Sequence, residues 1–246
     1  MNHAEEVAMR SIFLTNDDGV QADGIIRLAK AAQAFGEVWV VAPDTQRSGL
    51  SHSISLHNPI DVVPCTFPVE GVRAYACSGS PADCVRVGTL NIMPHRPDVV
   101  LSGINCGWNV ASDIQYSATA GAAFEGAFQE YLSIALSEDT SDCHAVTDAY
   151  LHTILEELLA KPYVAGQIWN VNFPVCPLSE CKGILRDRTV SEMAIYRDHY
   201  NELEKLPNGG VRLMVEGDYH EEAEAGTDFE AVLQKYISIG VVRNVG

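Results

Sequence analysis

Through Pro174, short apolar runs alternate with segments whose apolar residues recur at helical spacing, and this order constrains the fold more than any other feature. Residues 11–15 form the first run, which ends in Asn16-Asp17-Asp18-Gly19. Residues 24–35 then place Ile25, Leu28, Ala29 and Ala32 on one helical face, and Gly36 stops the helix. Residues 37–42 are a second apolar run closed by Pro43, so the unit has the length of a right-handed parallel crossover. Further strands are expected over 73–77, 98–102, 132–136 and 168–173. Helices are expected over 81–91, 119–131 and 145–160, the first with Ser80 as N-cap and Pro81 at its first position. Residues 48–66 read as an extended excursion, a hairpin at the sheet edge being one form, and 103–117 as a long polar loop. The alternation calls for an α/β fold, a mostly parallel sheet covered by helices.

Beyond Pro174 the pattern changes. Leu206-Pro-Asn-Gly-Gly210 is a turn signal between two extended stretches, which predicts a hairpin arm. Thr227-Asp228 caps a short helix, residues 236–242 form a last strand, and the acidic run 216–224 reads as a solvated surface loop. Residues 1–10 read as a loose leader without the basic start and apolar stretch of a signal peptide. No apolar run approaches the roughly 18 residues that span a bilayer, so no membrane partner is expected and the cytoplasm is the expected location.

Charge narrows the partners. A formal net charge of -17 opposes binding to nucleic acid polymers, whose affinity rests on clustered Lys and Arg. A small anion is compatible with it if a bound cation reverses the sign locally. The 7 cysteines are odd in number and scattered, with no C-x-x-C pair, so reduced and mostly buried thiols are expected rather than a zinc site or a disulfide framework.

In open parallel sheets ligands bind beyond the carboxyl ends of the strands. Three polar clusters stand at such ends: residues 16–19, 44–48 and 102–105. Adjacent carboxylates at Asp17 and Asp18 repel one another unless a partner offsets the charge. A hard cation such as Mg²⁺ or Mn²⁺ does so and prefers oxygen ligands, which Asp17, Asp18, Ser48 and Asn105 offer. Asp-Asp-Gly alone is a weak signal and reads more simply as a turn with a helix cap. Residues 116–121 open a helix, where free N–H groups and the hydroxyls of Ser117 and Thr119 make a phosphate cradle and small residues such as Gly121 permit close approach. The alternative is a capped helix packed tightly on the sheet. Asn109 and Asp113 either face the same crevice or cap loop backbone. His52 and His57 read as surface residues rather than ligands. Dinucleotide, P-loop, G-x-S-x-G and H-E-x-x-H motifs are missing.

Taken together, these segments resemble the SurE family, the survival-protein-E nucleotidases, from about Ile12 to Ile239. The matching blocks are Leu14-Thr-Asn-Asp-Asp-Gly19 with Ala22 and Gly24-Ile25, Val41-Ala-Pro43, Ser48-Gly49 and Ser53-Ile54. Gly79-Ser-Pro-Ala-Asp-Cys-Val85, Pro97-Asp98 and Ser102-Gly-Ile-Asn105 follow, then Gly107, Asn109, Asp113, Tyr116-Ser117, Thr119, Gly121-Ala-Ala123 and Glu125-Gly126. Asn170-Val-Asn-Phe-Pro174, Gly226-Thr-Asp228 and Ala231-Val232 close the match. The resemblance implies a Rossmann-like core with helices on both faces over 11–190. It also implies a C-terminal β-hairpin and helix extension over 191–246, used in oligomerisation as a homodimer or homotetramer with exchanged arms. One divalent cation per subunit would be held by Asp17, Asp18, Ser48 and Asn105, with Asp17 and Asp113 in catalytic roles. Asn105, Asn109, Ser117, Thr119 and Gly121 would face substrate phosphate. The implied activity removes phosphate from nucleoside 5′- and 3′-monophosphates and from short polyphosphate. The chain departs from the family at Ser80 for Thr and at Ala118 for Gly, and its ending reads Ser238-Ile-Gly-Val-Val242 for Ser-Ile-Thr-Pro-Leu. No residue matches a histidine that some members carry in that tail. The rivals are an aspartyl-phosphate enzyme with Asp17 as nucleophile, and a non-catalytic nucleotide-binding or assembly protein.

Overall fold

β1 (Arg10–Thr15) is buried on both faces, with Ile12 and Leu14 in one core layer and Phe13 in the other. That placement explains its unbroken apolar run, since parallel strands have no wet face. We describe residues 9–244 in a computed structural model, and residues 1–8 of the expected leader lie outside them. β2 (Gly36–Pro43), an edge strand β3 (Val62–Cys65), β4 (Arg73–Cys77), β5 (Val99–Cys106), β6 (Leu132–Glu138) and β7 (Gln167–Phe173) follow in sequence. In space the order is β3-β4-β2-β1-β5-β6-β7, parallel from β4 to β7. α1 (Asp23–Ala32) and α4 (Ala145–Leu159) cover one face, where Leu28 and Ile154 join the β1 layer. α2 (Pro81–Val87) packs with α3 (Ala118–Phe128) on the other, where Val85 and Ala122 meet Phe13. Helices on both faces of a mostly parallel sheet are the Rossmann-like arrangement the sequence predicts.

Four elements differ from expectation. The excursion at 48–66 is irregular, and only Val62–Cys65 pairs, antiparallel to β4, with Pro64 on the sheet edge where a missing N–H is tolerated. The helix expected over 81–91 ends at Val87 and continues as a π-helical turn, Gly88–Ile92. β5 does not stop at Ser102. It kinks and pairs again with β6 at Asn105 and Cys106, because β6 itself runs on to Glu138. The polar loop after it contains a 3₁₀ turn, Ala111–Gln115.

The C-terminal part adds β8 (Ile184–Leu185), the hairpin of β9 (Tyr196–Lys205) and β10 (Val211–Tyr219), α5 (Asp228–Leu233) and β11 (Ile237–Arg243). β11 extends the main sheet antiparallel to β7, and β8 closes its edge. The hairpin stands apart as a two-stranded sheet, every residue of both strands exposed. The acidic run therefore begins inside β10 rather than in a loop. Among the described residues no helix is long and apolar enough to cross a membrane. All 7 cysteines are free, but only Cys77, Cys84 and Cys176 are buried, fewer than expected, and Cys106 is exposed.

Candidate active site

The sheet order puts a topological switch point between β1 and β5. From β1 the chain crosses to β2 on one side, while β5 lies on the other. The loops beyond these strands therefore part and leave a crevice at their carboxyl ends. Asp17 and Asp18 lie just past β1, and Asn105 lies near the end of β5. A cleft of about 320 Å³ opens there, and Asp17, Ser48, Asn105, Asn109, Asp113 and Ser117 all line it.

Asp17 is 3% exposed and accepts a 2.5 Å hydrogen bond from the Thr119 hydroxyl. Burial pushes its carboxyl up to about 6, the Thr119 bond opposes this, and the charge of Asp18 adds to it. Asp18 is also raised by burial, against a 3.1 Å bond from the Cys106 N–H and a bond from Gln46. No cationic side chain contributes to either carboxyl among the described residues. The Asn105 amide nitrogen donates to the Gly107 carbonyl at 2.7 Å, which leaves its Oδ1 as the end free to accept. No cluster of three or more His, Cys, Asp or Glu is arranged for a metal ion among the described residues. The donor set is two carboxylates with neutral hydroxyl and amide oxygens, which fits a hard divalent cation and not a soft one.

Ser48 reaches the cleft on an exposed loop that is tied down at several points. The Arg47 N–H donates to the Asp17 carbonyl at 2.7 Å, and the Ser51 N–H to that of Tyr116 at 3.1 Å. His52 contacts Glu125 of α3 at 2.9 Å and stacks on Phe128, so it is a half-buried tether rather than a surface residue; His57 is exposed. Gly121 belongs to this tether too. A Cβ there would lie 2.5 Å from the Ser51 carbonyl oxygen, so Gly121 admits the loop backbone and does not line the cleft. Thr119 is likewise fully buried and works through Asp17. Ser117 is the N-cap of α3, its hydroxyl accepting from the Ala120 N–H at 2.9 Å.

Two supports escaped the sequence reading. Asn170 and Asn172 of β7 both donate to the Asn109 carbonyl, Asn172 accepts the Asn109 N–H at 2.8 Å, and the Asn109 amide donates to Ser137 at 2.7 Å. Buried Asp228 accepts from the N–H groups of Ala111, Ser191 and Phe229, so Thr227 alone is the helix cap and Asp228 turns inward. Ala111 holds φ at 52°, a conformation unusual for a residue with a side chain, two residues from Asp113. The available signal was the polar pair Asn170 and Asn172 on a buried strand, since buried polar groups need partners.

Fold and cleft define a doubly wound α/β protein whose switch-point crevice carries Asp17 beside a helix N-terminus, while Asp18, next in the chain, faces the neighbouring pocket of Cys106 and Glu138. The family model described as survival protein SurE matches residues 12–195, and the chain belongs to that family. A protein of Clostridium botulinum (strain Loch Maree / Type A3) named 5′-nucleotidase SurE is 37% identical over 234 residues, 93% of this chain and 91% of its own length. One of the same name from Mesorhizobium japonicum is 36% identical over 237 residues, with the same two coverages. The crystal structure of the Aquifex aeolicus SurE protein superposes with a TM-score of 0.79 at 32% identity, covering 94% of this chain and 92% of that one.

Proposed function

We propose that this chain is a divalent-metal-dependent phosphatase that hydrolyses nucleoside monophosphates at the 5′ position, as its relatives' name says of them, and at the 3′ position and on short polyphosphate as secondary substrates. The observation that carries the metal reading is the pair Asp17 and Asp18, raised in pKa and without a cationic side chain to offset them. Asp17, Asp18, Ser48 and Asn105 are the residues to hold the ion, Mg²⁺ or Mn²⁺. When bound, such an ion neutralises charge on the phosphoryl oxygens and makes a water a better nucleophile.

The protein's own part is positioning. Thr119 fixes one Asp17 oxygen and the Cys106 N–H one Asp18 oxygen, so both carboxylates are oriented in advance. Ser117, the N-cap of α3, lines the cleft, so that helix end is the place for the phosphate oxygens. Water attacks phosphorus as the bond to the sugar oxygen breaks, and that oxygen takes a proton. Asp113 lines the cleft, and burial and the charge of Asp198 raise its pKa despite the bond from Ser112, which suits a carboxyl that moves a proton. Positioning and charge neutralisation make up most of what phosphoryl transfer requires.

Phosphate release should be measured on a panel of nucleotides with the protein stripped of metal and then given Mg²⁺ or Mn²⁺. Metal-restored turnover is expected. Asp17→Asn should lower it more than ~100-fold, beyond the effect of residues that only support a ligand, while the far-ultraviolet dichroism stays as it is. Full turnover in Asp17→Asn, or in chelator, would refute the assignment.

We also propose a homodimer or homotetramer built through the β9–β10 arm. An isolated hairpin is marginal in water, and this one exposes Leu213, Met214 and Val215 in succession.

A further inference from the structure

A second cavity, about 530 Å³, adjoins the cleft and shares Trp108, Asp113 and Tyr196 with it. Its remaining walls include Asp139, Tyr219 and Glu221. None of the residues that would hold the ion lines it. Three aromatic side chains thus face a space within the size range of small-ligand sites. Their rings are held in place. The Trp108 indole N–H donates to the Phe173 carbonyl at 2.7 Å. The Tyr219 ring lies 5.6 Å from that of Tyr196 and 6.5 Å, edge-on, from that of Phe229. Tyr196 and Tyr219 are cross-strand partners at the foot of the hairpin, so the arm builds this wall.

We propose that this cavity is the nucleobase subsite, where the base of a nucleoside monophosphate stacks on the aromatic wall while its phosphate occupies the neighbouring cleft. Every base has a π-face, and stacking on fixed rings is tolerant of base identity. The carboxylates of Asp139 and Glu221 are acceptors only, so they match the amino groups of adenine, guanine and cytosine. Tyr196, Tyr219 and Glu221 lie beyond the stretch matched by the family model, residues 12–195, whereas the residues assigned to metal and phosphate lie within it. The cavity is therefore built jointly, with Trp108 and Asp139 from the matched stretch and Tyr196, Tyr219 and Glu221 from beyond it.

This inference rests on the phosphatase reading for its kinetic arm but not for its binding arm. Tyr219→Leu removes a ring that does not itself line the phosphate cleft, and Tyr219→Phe keeps the ring. The kinetic readout is the ratio of kcat/KM on adenosine 5′-monophosphate to that on ribose 5-phosphate, which carries the same phosphate and no base. Tyr219→Leu should lower this ratio about tenfold, the usual scale of a lost stacking contact, and Tyr219→Phe should restore it. The binding readout is equilibrium dialysis of metal-free protein with adenosine, whose binding Tyr219→Leu should weaken by a similar factor. An unchanged ratio in Tyr219→Leu, or no adenosine bound by the parent protein, would overturn the subsite. Adenosine binding that depends on the ring, with no turnover of either phosphate ester, would keep the subsite and remove the phosphatase reading.

Discussion

The sheet around β1 and the arm of β9 and β10 are opposite solutions to burying a strand. β1 lies between two parallel neighbours and two helical layers, and its residues from Ser11 to Thr15 are all buried. The arm pairs only with itself and hides none of its residues. The stability of this chain must therefore reside in the sheet and its loops, while the arm leaves Leu213, Met214 and Val215 exposed. Perturbations should separate accordingly.

The largest effect on folding is expected at Asp228, which joins the arm's end of the chain to the loops of the cleft. Asp228→Ala would strip the acceptor from the N–H groups of Ala111, Ser191 and Phe229. Buried donors left unpaired cost ~1–3 kcal/mol each at most, so a loss of about 2–4 kcal/mol is expected in urea denaturation. The same residue gives a pH signature. Burial raises its carboxyl from 3.8 to about 6, so the stability that comes with its bound proton is complete below about pH 4 and is lost as pH rises through about 6, while the three accepted N–H bonds remain. Asp228→Asn should flatten that part of the stability–pH profile. An unaltered slope would mean that another group carries it.

Gly121 tests the sheet side of the comparison. A methyl at this position meets backbone, not a movable side chain, so Gly121→Ala should cost about 1–3 kcal/mol. It should also weaken metal affinity by moving the loop that carries Ser48, which calorimetric titration with Mn²⁺ would detect. Normal affinity in a destabilised variant would detach the loop from the ion. The smallest change in folding is expected in the arm. Leu213→Lys with Val215→Glu should shift denaturation by less than ~0.5 kcal/mol per site within the subunit, yet light scattering should report a smaller particle than the parent's. An unchanged mass would remove the arm from assembly.

The contrast also explains what could be read from sequence. The strands of the parallel sheet were legible because burial on both faces leaves an apolar run with sharp polar ends. Asp17, Ser48 and Asn105 were legible as polar residues at those ends, Asn109 and Asp113 only as loop residues and Ser117 as a helix start, and all six line one cleft. The extension of β5 was hidden because Gly103-Ile-Asn105 carries turn residues, and only pairing with β6 keeps it in the sheet. Gly121 and Thr119 misled for a related reason. Their small size reads the same whether the close neighbour is a ligand, a loop carbonyl or an aspartate, and only the tertiary contact decides. Asp228 and the Asn170 and Asn172 pair act across more than 60 residues of chain, beyond any local pattern.

The arm's turn and its feet serve different ends. The feet, Tyr196 and Asp198, line the cleft, while Pro207 to Gly210 sit at the far end of a ladder that runs from Tyr196–Tyr219 to Lys205–Val211. A protease that nicks the exposed turn would therefore cut far from the feet, and the Tyr196–Tyr219 rung would still hold the wall of the cleft.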